Sequence, residues 1–191
     1  MFTGIVQQVG EVSSFTQGRL QIRAQFPADD PIVIGESISI NGCCLTVVNF
    51  DGALLDFDLS EETVRLTTTG QVTSVNIERA MRANDRLGGH FVQGHVDGVG
   101  RIVDIQDPSL FTFEFPEIFQ PLVSSKGSIA VDGISLTVVE PRGNVFDVWV
   151  IPHTLMHTNL CNKAKGDSVN LEFDMLAKHV QRMVAVNSPT A

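Results

Sequence analysis

Asn41-Gly42-Cys43-Cys44-Leu45-Thr46-Val47-Val48 returns 91 positions later as Asp132-Gly133-Ile134-Ser135-Leu136-Thr137-Val138-Val139. Five of the seven positions from Gly42 to Val48 are identical. Each copy follows an Asn-Gly or Asp-Gly pair, a hairpin-turn signal, with β-branched residues of strand character. Strand periodicity puts Cys44 and Thr46 on one face and Leu45 and Val47 on the other. Ser135 and Thr137 repeat the polar pair, and Leu136 and Val138 the apolar one.

The correspondence extends in both directions. Gly4, Val6, Val9 and Gly10 match Gly94, Val96, Val99 and Gly100 at an offset of 90. Ser37 faces Ser128, Thr63 faces Thr154 and Thr67 faces Thr158, all at 91. Val75-Asn76-Ile77-Glu78 meets Val169-Asn170-Leu171-Glu172 at 94, so the second half carries three extra residues around 162–166. An ordered series of matches at nearly constant offset is the mark of tandem duplication. Short strands with turn signals at Asp51-Gly52 and Arg142-Gly143-Asn144 suit a small barrel or sandwich. The expected units are 1–90 and 91–186.

Short helices are expected over 61–66 and from Pro152, which suits a first helical turn. From Asp174, a possible N-cap, Leu176, Val180, Met183 and Val184 form an apolar stripe with no counterpart in the first repeat. Such a helix needs a cover. A neighbouring subunit and the helix's own barrel are the two candidates, and the subunit is the simpler.

Composition narrows the function classes. The 191 residues are 43% hydrophobic and 18% charged, enough to bury a core. Thirteen basic residues against 22 acidic ones give a net charge of −9. That balance disfavours phosphate-rich partners, so neither nucleic acid nor an anionic membrane is expected. No stretch approaches the roughly 20 apolar residues of a spanning helix. The opening residues have neither a basic region nor a small-residue cleavage site, so no signal peptide is expected. Three cysteines, Cys43, Cys44 and Cys161, form no disulfide framework, which fits a reducing cytoplasm.

Known chemical motifs are sparse. Lys126-Gly127-Ser128 lacks the glycine-rich loop of a phosphate cradle, and Leu87-Gly88-Gly89-His90 reads as a turn. His153 and His157 have metal-ligand spacing without a third ligand, and a solvated helix face explains them. His90 and His95 face opposite ways in an extended segment, so no metal site is expected. Cys43 reads as a buried small hydrophobe, and Cys44 as a pocket residue or another such hydrophobe. From the residues alone, the chain is a cytoplasmic pair of duplicated β-barrels, each with a polar pair.

Met1-Phe2-Thr3-Gly4-Ile5-Val6, Asn41-Gly42-Cys43-Cys44-Leu45-Thr46, Gly88-Gly89-His90 with Gly94-His95, and Asp132-Gly133-Ile134-Ser135-Leu136-Thr137 resemble the riboflavin synthases of the alpha-subunit type, over residues 1 to about 186. The resemblance implies an all-β fold of two tandem six-stranded Greek-key β-barrels with a C-terminal α-helix, about 174–186, that joins three chains into a homotrimer. It implies one reaction, in which two 6,7-dimethyl-8-ribityllumazine molecules exchange a four-carbon unit, with no cofactor and no metal. By position, a first-barrel site takes Gly4, Ile5 and Val6, Ser37, Cys44, Leu45 and Thr46, and the run Asp58, Leu59, Ser60, Glu61, Glu62 and Thr63. A second-barrel site takes Gly94, His95 and Val96, Lys126, Ser135, Leu136 and Thr137, then Ile151, Pro152, His153, Thr154 and Thr158.

Phe2, Ser37, Cys44, His95, Thr137 and Asp174 are implied in turnover. His95 would be the proton shuttle. Cys44 and Ser37 would deliver or orient a nucleophile, water among the choices. Thr137 and Asp174 would orient the donor, and Phe2, held in the first strand, would wall the cleft. The loop 68–74 departs from the family in lacking Lys-x-Gly-Asp before Val75. Related antenna proteins of luminous bacteria bind a lumazine or flavin without turnover. They tend to lose the Cys-Cys pair or the Gly-Gly-His…Gly-His pattern, both retained here.

Overall fold

The computed structural model describes residues 1–187. The first half forms β1 (Gln8–Thr16), β2 (Arg19–Arg23), β3 (Ser37–Ile40), β4 (Cys43–Phe50), β5 (Leu54–Asp58), α1 (Glu61–Leu66) and β6 (Ser74–Arg79). These strands close into an antiparallel barrel in the order β1-β2-β5-β4-β3-β6. The second half repeats the plan with β7 (Gly98–Gln106), β8 (Leu110–Glu114), β9 (Ser128–Val131), β10 (Ile134–Thr137), β11 (Pro141–Arg142), β12 (Val145–Trp149), α2 (Pro152–Met156) and β13 (Ser168–Phe173). A final helix, α3, covers Met175–Asn187.

The second barrel carries a seventh strand segment. Its sheet runs β10-β9-β13-β7-β8-β12-β11, and β10 and β11 together stand where the first barrel has the single strand β4. The first barrel already bulges at this level, between Val47 and Asn49. In the second, Pro141 also removes a backbone donor, and the strand breaks. The Val139 N–H still reaches the Asp147 carbonyl at 2.8 Å, so the wall stays connected.

Alternation along the polar strands follows the period of two. Cys43, Leu45 and Val47 are buried while Thr46 is exposed and Cys44 half-buried; Ile134, Leu136 and Val138 are buried while Thr137 is exposed and Ser135 half-buried. Both polar pairs therefore lie on outer barrel surfaces. Inside, the first barrel packs Leu20, Ile22, Ile38, Ile40, Leu55, Phe57 and Ile77. The second is richer in aromatics, with Phe113 stacked on Phe146 at 5.4 Å and Phe119 tilted against Phe173 at 4.8 Å. Phenylalanine fills such a core without a hydroxyl that would need a partner.

The hairpin tips use the Asn-Gly and Asp-Gly turns that the sequence announces. Asn41 and Asp132 both sit at φ 46° and Gly42 and Gly133 both at 78°, the two positive angles of a type I′ turn. The tips meet each other: a Cβ on Gly42 would lie 2.8 Å from the Gly133 nitrogen, and one on Gly133 would lie 2.7 Å from the Gly42 nitrogen. Around them runs a buried polar network. Asn76 donates to the Asp132 carbonyl at 2.9 Å, and Asn170 donates to the Asn41 carbonyl at 2.8 Å. Asn159 donates to Asn41 Oδ1 at 3.2 Å and to Asp132 Oδ2 at 2.9 Å. Lys163 Nζ stands 3.2 Å from Asp132 Oδ2. Apart from Asn41 Nδ2, the side-chain polar atoms of this network are paired, and the pairing favours one docking of the halves.

The stripe on α3 is open. Leu176, Val180 and Met183 are 59%, 63% and 61% exposed. The opposite side does rest on the second barrel, through Ala177 and through Lys178, whose Nζ meets Asp97 Oδ2 at 2.7 Å. Asp174 Oδ1 accepts from the Leu176 N–H at 2.9 Å, so the aspartate caps the helix as expected.

Candidate active site

The segments ahead of β1 and β7 cross between the halves. The Cys44 N–H donates to the Gly94 carbonyl at 2.8 Å, and the Ser135 N–H donates to the Gly4 carbonyl at 2.8 Å. Val96 packs against the first-barrel core and Val6 against the second. The grouping expected from the resemblance is therefore corrected. Gly4, Ile5 and Val6 belong with Ser135 and Thr137, and Gly94, His95 and Val96 with Cys44 and Thr46. Sequence order suggested that each segment serves its own barrel; the backbone pairing joins each to the other.

Around Cys44 this crossing creates a cavity of about 260 Å³, lined by Cys43, Cys44, Glu62, Thr63, Leu66, Thr67, Gly94, His95 and Val96. Helix α1 supplies one wall. Ser60 caps it, its hydroxyl accepting from the Thr63 N–H at 3.1 Å, which fixes Glu62 and Thr63 toward the opening. Ser37 lies beside Thr46 in the β3–β4 register. Asp58 is farther out, within 3.7 Å of Arg19. Leu45 and Leu59 turn into the barrel, Leu45 as a buried core residue and Leu59 packed against the core. Burial pushes the Cys43 thiol up to about 12, aided by Cys44 and Glu172 nearby, so Cys43 is chemically quiet. Cys44 is half-buried and His95 is exposed on the same cavity wall.

The matching surface on the second barrel is different. His90 Nδ1 lies 2.7 Å from the Ser135 hydroxyl, and the His90 N–H donates to the Thr3 carbonyl at 3.1 Å. Burial lowers the His90 pKa while the charge of Asp174 opposes the shift, favouring a neutral imidazole. Thr154 on α2 and Thr158 just beyond its end are joined, the Thr158 hydroxyl donating to the Thr154 carbonyl at 2.8 Å. Ile151, Pro152 and His153 are exposed at the rim, while Leu136 faces the core. Lys126 is exposed at φ 64°, in the turn where the first half has Gly35.

Phe2 departs from its expected place. The first strand begins at Gln8, and Phe2 is held instead by an isolated bridge to Val92. It is fully buried with Val92 and Ala130, beside Cys44 and Ala80. It packs beneath Cys44 as a core residue rather than in a strand. A larger cavity of about 420 Å³, between 68–74 and 159–168, shares no residue with either polar pair. Among the described residues no cluster of His, Cys, Asp and Glu could hold a metal ion, and no helix is long and apolar enough to cross a membrane.

Sequence reading missed the two residues that hold the crossing segments. Glu78 accepts from the Thr3 N–H at 2.7 Å, the Thr3 hydroxyl at 2.8 Å and the Gly4 N–H at 3.0 Å. Glu172 accepts from the Gln93 N–H at 2.6 Å and from the Gly94 and His95 N–H groups at 2.9 Å each. Burial raises both carboxyl pKa values while these donors pull them down. The signal was a glutamate repeated at the matched position of two strands, Val75-Asn76-Ile77-Glu78 and Val169-Asn170-Leu171-Glu172.

Comparison with known proteins agrees with this geometry. A family model for the lumazine binding domain matches twice, at residues 3–80 and 93–174. A riboflavin synthase of Chlamydia muridarum is 43% identical, covering 93% of this chain and 92% of its own length. One from Actinobacillus pleuropneumoniae is 40% identical over 96% of this chain and 90% of its own. Among solved structures, the crystal structure of LumP complexed with riboflavin superposes with a TM-score of 0.80 at 25% identity, covering 91% of this chain and 99% of that one. A chain built of two such domains, and this close to riboflavin synthases along nearly all its length, belongs to the riboflavin synthase family.

Proposed function

We propose that the protein converts two molecules of 6,7-dimethyl-8-ribityllumazine into riboflavin and 5-amino-6-ribitylamino-2,4-pyrimidinedione. One substrate gives up the four-carbon unit that the other gains, so the pair is oxidised and reduced against itself without an external carrier. The supporting observation is the duplicated outer surface, a polar strand pair crossed by the other half's Gly4–Val6 or Gly94–Val96 segment. Two like surfaces suit two identical substrates, and their differences suit two roles. One surface carries Cys44 with His95, the other Ser135 with His90.

In this reading the unit 1–90 and the unit 91–186 each hold one lumazine. The lumazine on one subunit's first barrel meets that on the next subunit's second barrel. His95 moves the proton from the acidic C7 methyl group of one lumazine, within the usual general acid–base range of about 10²–10⁴-fold. Cys44 and Ser37 orient or deliver the nucleophile at C7 of the other, and Thr137 and Asp174 orient the donor. Holding two rings in register accounts for much of the rate, since proximity can contribute about 7–11 kcal/mol. The open face of α3 joins subunits into a homotrimer, and the protein works in the cytoplasm.

Incubation of the purified protein with the lumazine alone, followed by riboflavin fluorescence and separation of both products, tests the reaction. Equimolar products support it. A protein that binds the lumazine and returns it unchanged is an antenna protein instead.

A further inference from the structure

Glu78 and Glu172 are almost fully buried, yet neither carboxylate binds a cationic side chain directly among the described residues. Their donors are backbone N–H groups of one short segment each. Around Glu172, three successive N–H groups converge because Gly94 takes φ 81°. Such a nest reverses the usual relation, since here the side chain is the anion and the backbone its cradle. Lys178 on α3 adds its charge from a distance while bonding Asp97, and Asp97 accepts from the Phe173 N–H at 2.9 Å. The strand that carries Glu172 belongs to the second barrel, but its carboxylate is close enough to influence Cys43 in the first.

The geometry points to Glu172 and Glu78 as crossed positioning residues. Glu172 sets Gly94, His95 and Val96 over the Cys44 pocket of the first barrel, and Glu78 sets Gly4, Ile5 and Val6 over Ser135 of the second. Each glutamate thereby shapes the ligand surface of the barrel to which its own strand does not belong. This rests on the reading that these surfaces hold the lumazine. Glutamine keeps the length of the side chain but offers one amide donor toward the N–H groups, so E172Q and E78Q perturb the two segments separately.

The test is ligand protection of Cys44 against iodoacetamide, read by mass spectrometry of the Cys43–Cys44 peptide, with 6,7-dimethyl-8-ribityllumazine as the probe. Buried Cys43 remains unlabelled, and Cys161 provides an internal reference for reagent activity. In the parent protein the probe should slow Cys44 labelling. Glu172→Gln should weaken protection about tenfold or more, in line with losing charged hydrogen bonds, and several-fold more than Glu78→Gln does. General loosening of the fold would release Cys44 in both variants alike. Equal loss in both, or no loss in either, overturns the crossed assignment. If the glutamine variant fails to fold, Glu172→Asp compared with Glu78→Asp must show the same contrast. No protection in the parent at any probe concentration overturns the ligand-site reading, and this inference with it.

Discussion

Gly94 and Gly35 separate backbone strain from crowding. Both have positive φ, 81° and 91°, but a Cβ on Gly35 would enter open space while one on Gly94 would lie 2.5 Å from the Cys44 Cβ. Gly35→Ala should cost about 1 kcal/mol for the left-handed backbone alone. Gly94→Ala adds overpacking of about 1–3 kcal/mol, and should displace His95 and depress turnover. Urea midpoints and lumazine assays on the two variants measure the difference. The glutamates that hold these segments have a pH signature of their own. A buried carboxyl whose folded pKa is raised binds its proton more tightly folded than unfolded. Stability from this source therefore falls as pH rises from the unfolded value of about 4.3 through the raised folded value. Relative to Glu78→Gln, which does not titrate, the parent should lose urea stability across that window. A difference that grows with pH in the opposite sense would contradict the burial of Glu78.

The elements show what a period of two can and cannot reveal. Leu45-Thr46-Val47 and Leu136-Thr137-Val138 announced their faces because burial inside a barrel is one-sided. The break between β10 and β11 was not legible, since Pro141 stands where the first copy already bulges and only the paired register shows the gap. Phe2 fills a core position, as an apolar residue ordinarily does, but it lies outside the first strand, because nothing local reveals an isolated bridge to Val92. The stripe on α3 was visible from its spacing, and its exposure leads to a prediction. If α3 joins the proposed trimer, Val180→Lys with Met183→Lys should leave monomers by light scattering, while each barrel keeps its strand signature in circular dichroism. An unchanged assembly would mean that another surface joins the subunits.

For the whole molecule, the duplication was plain from one offset, but how the copies embrace was not. Sequence order assigns Gly4 to the first barrel and Gly94 to the second; three-dimensional pairing exchanges them. Only long-range contacts carry that information, and a single sequence has no periodicity that encodes it. The Asn41–Asp132–Asn159–Asn170 network was equally hidden, because asparagines of two distant repeats read locally as turn or strand-end residues. The exchange bears on how the chain could be severed. Residues 82–89, which link the halves, are exposed. A protease cut there breaks one peptide bond but none of the hydrogen bonds by which each half completes the other. The nicked protein should elute as one particle on gel filtration, separating only in denaturant. The two pieces, produced apart, would act as complementary fragments that find each other unaided, and their reunion would restore both surfaces at once, read by the return of riboflavin fluorescence.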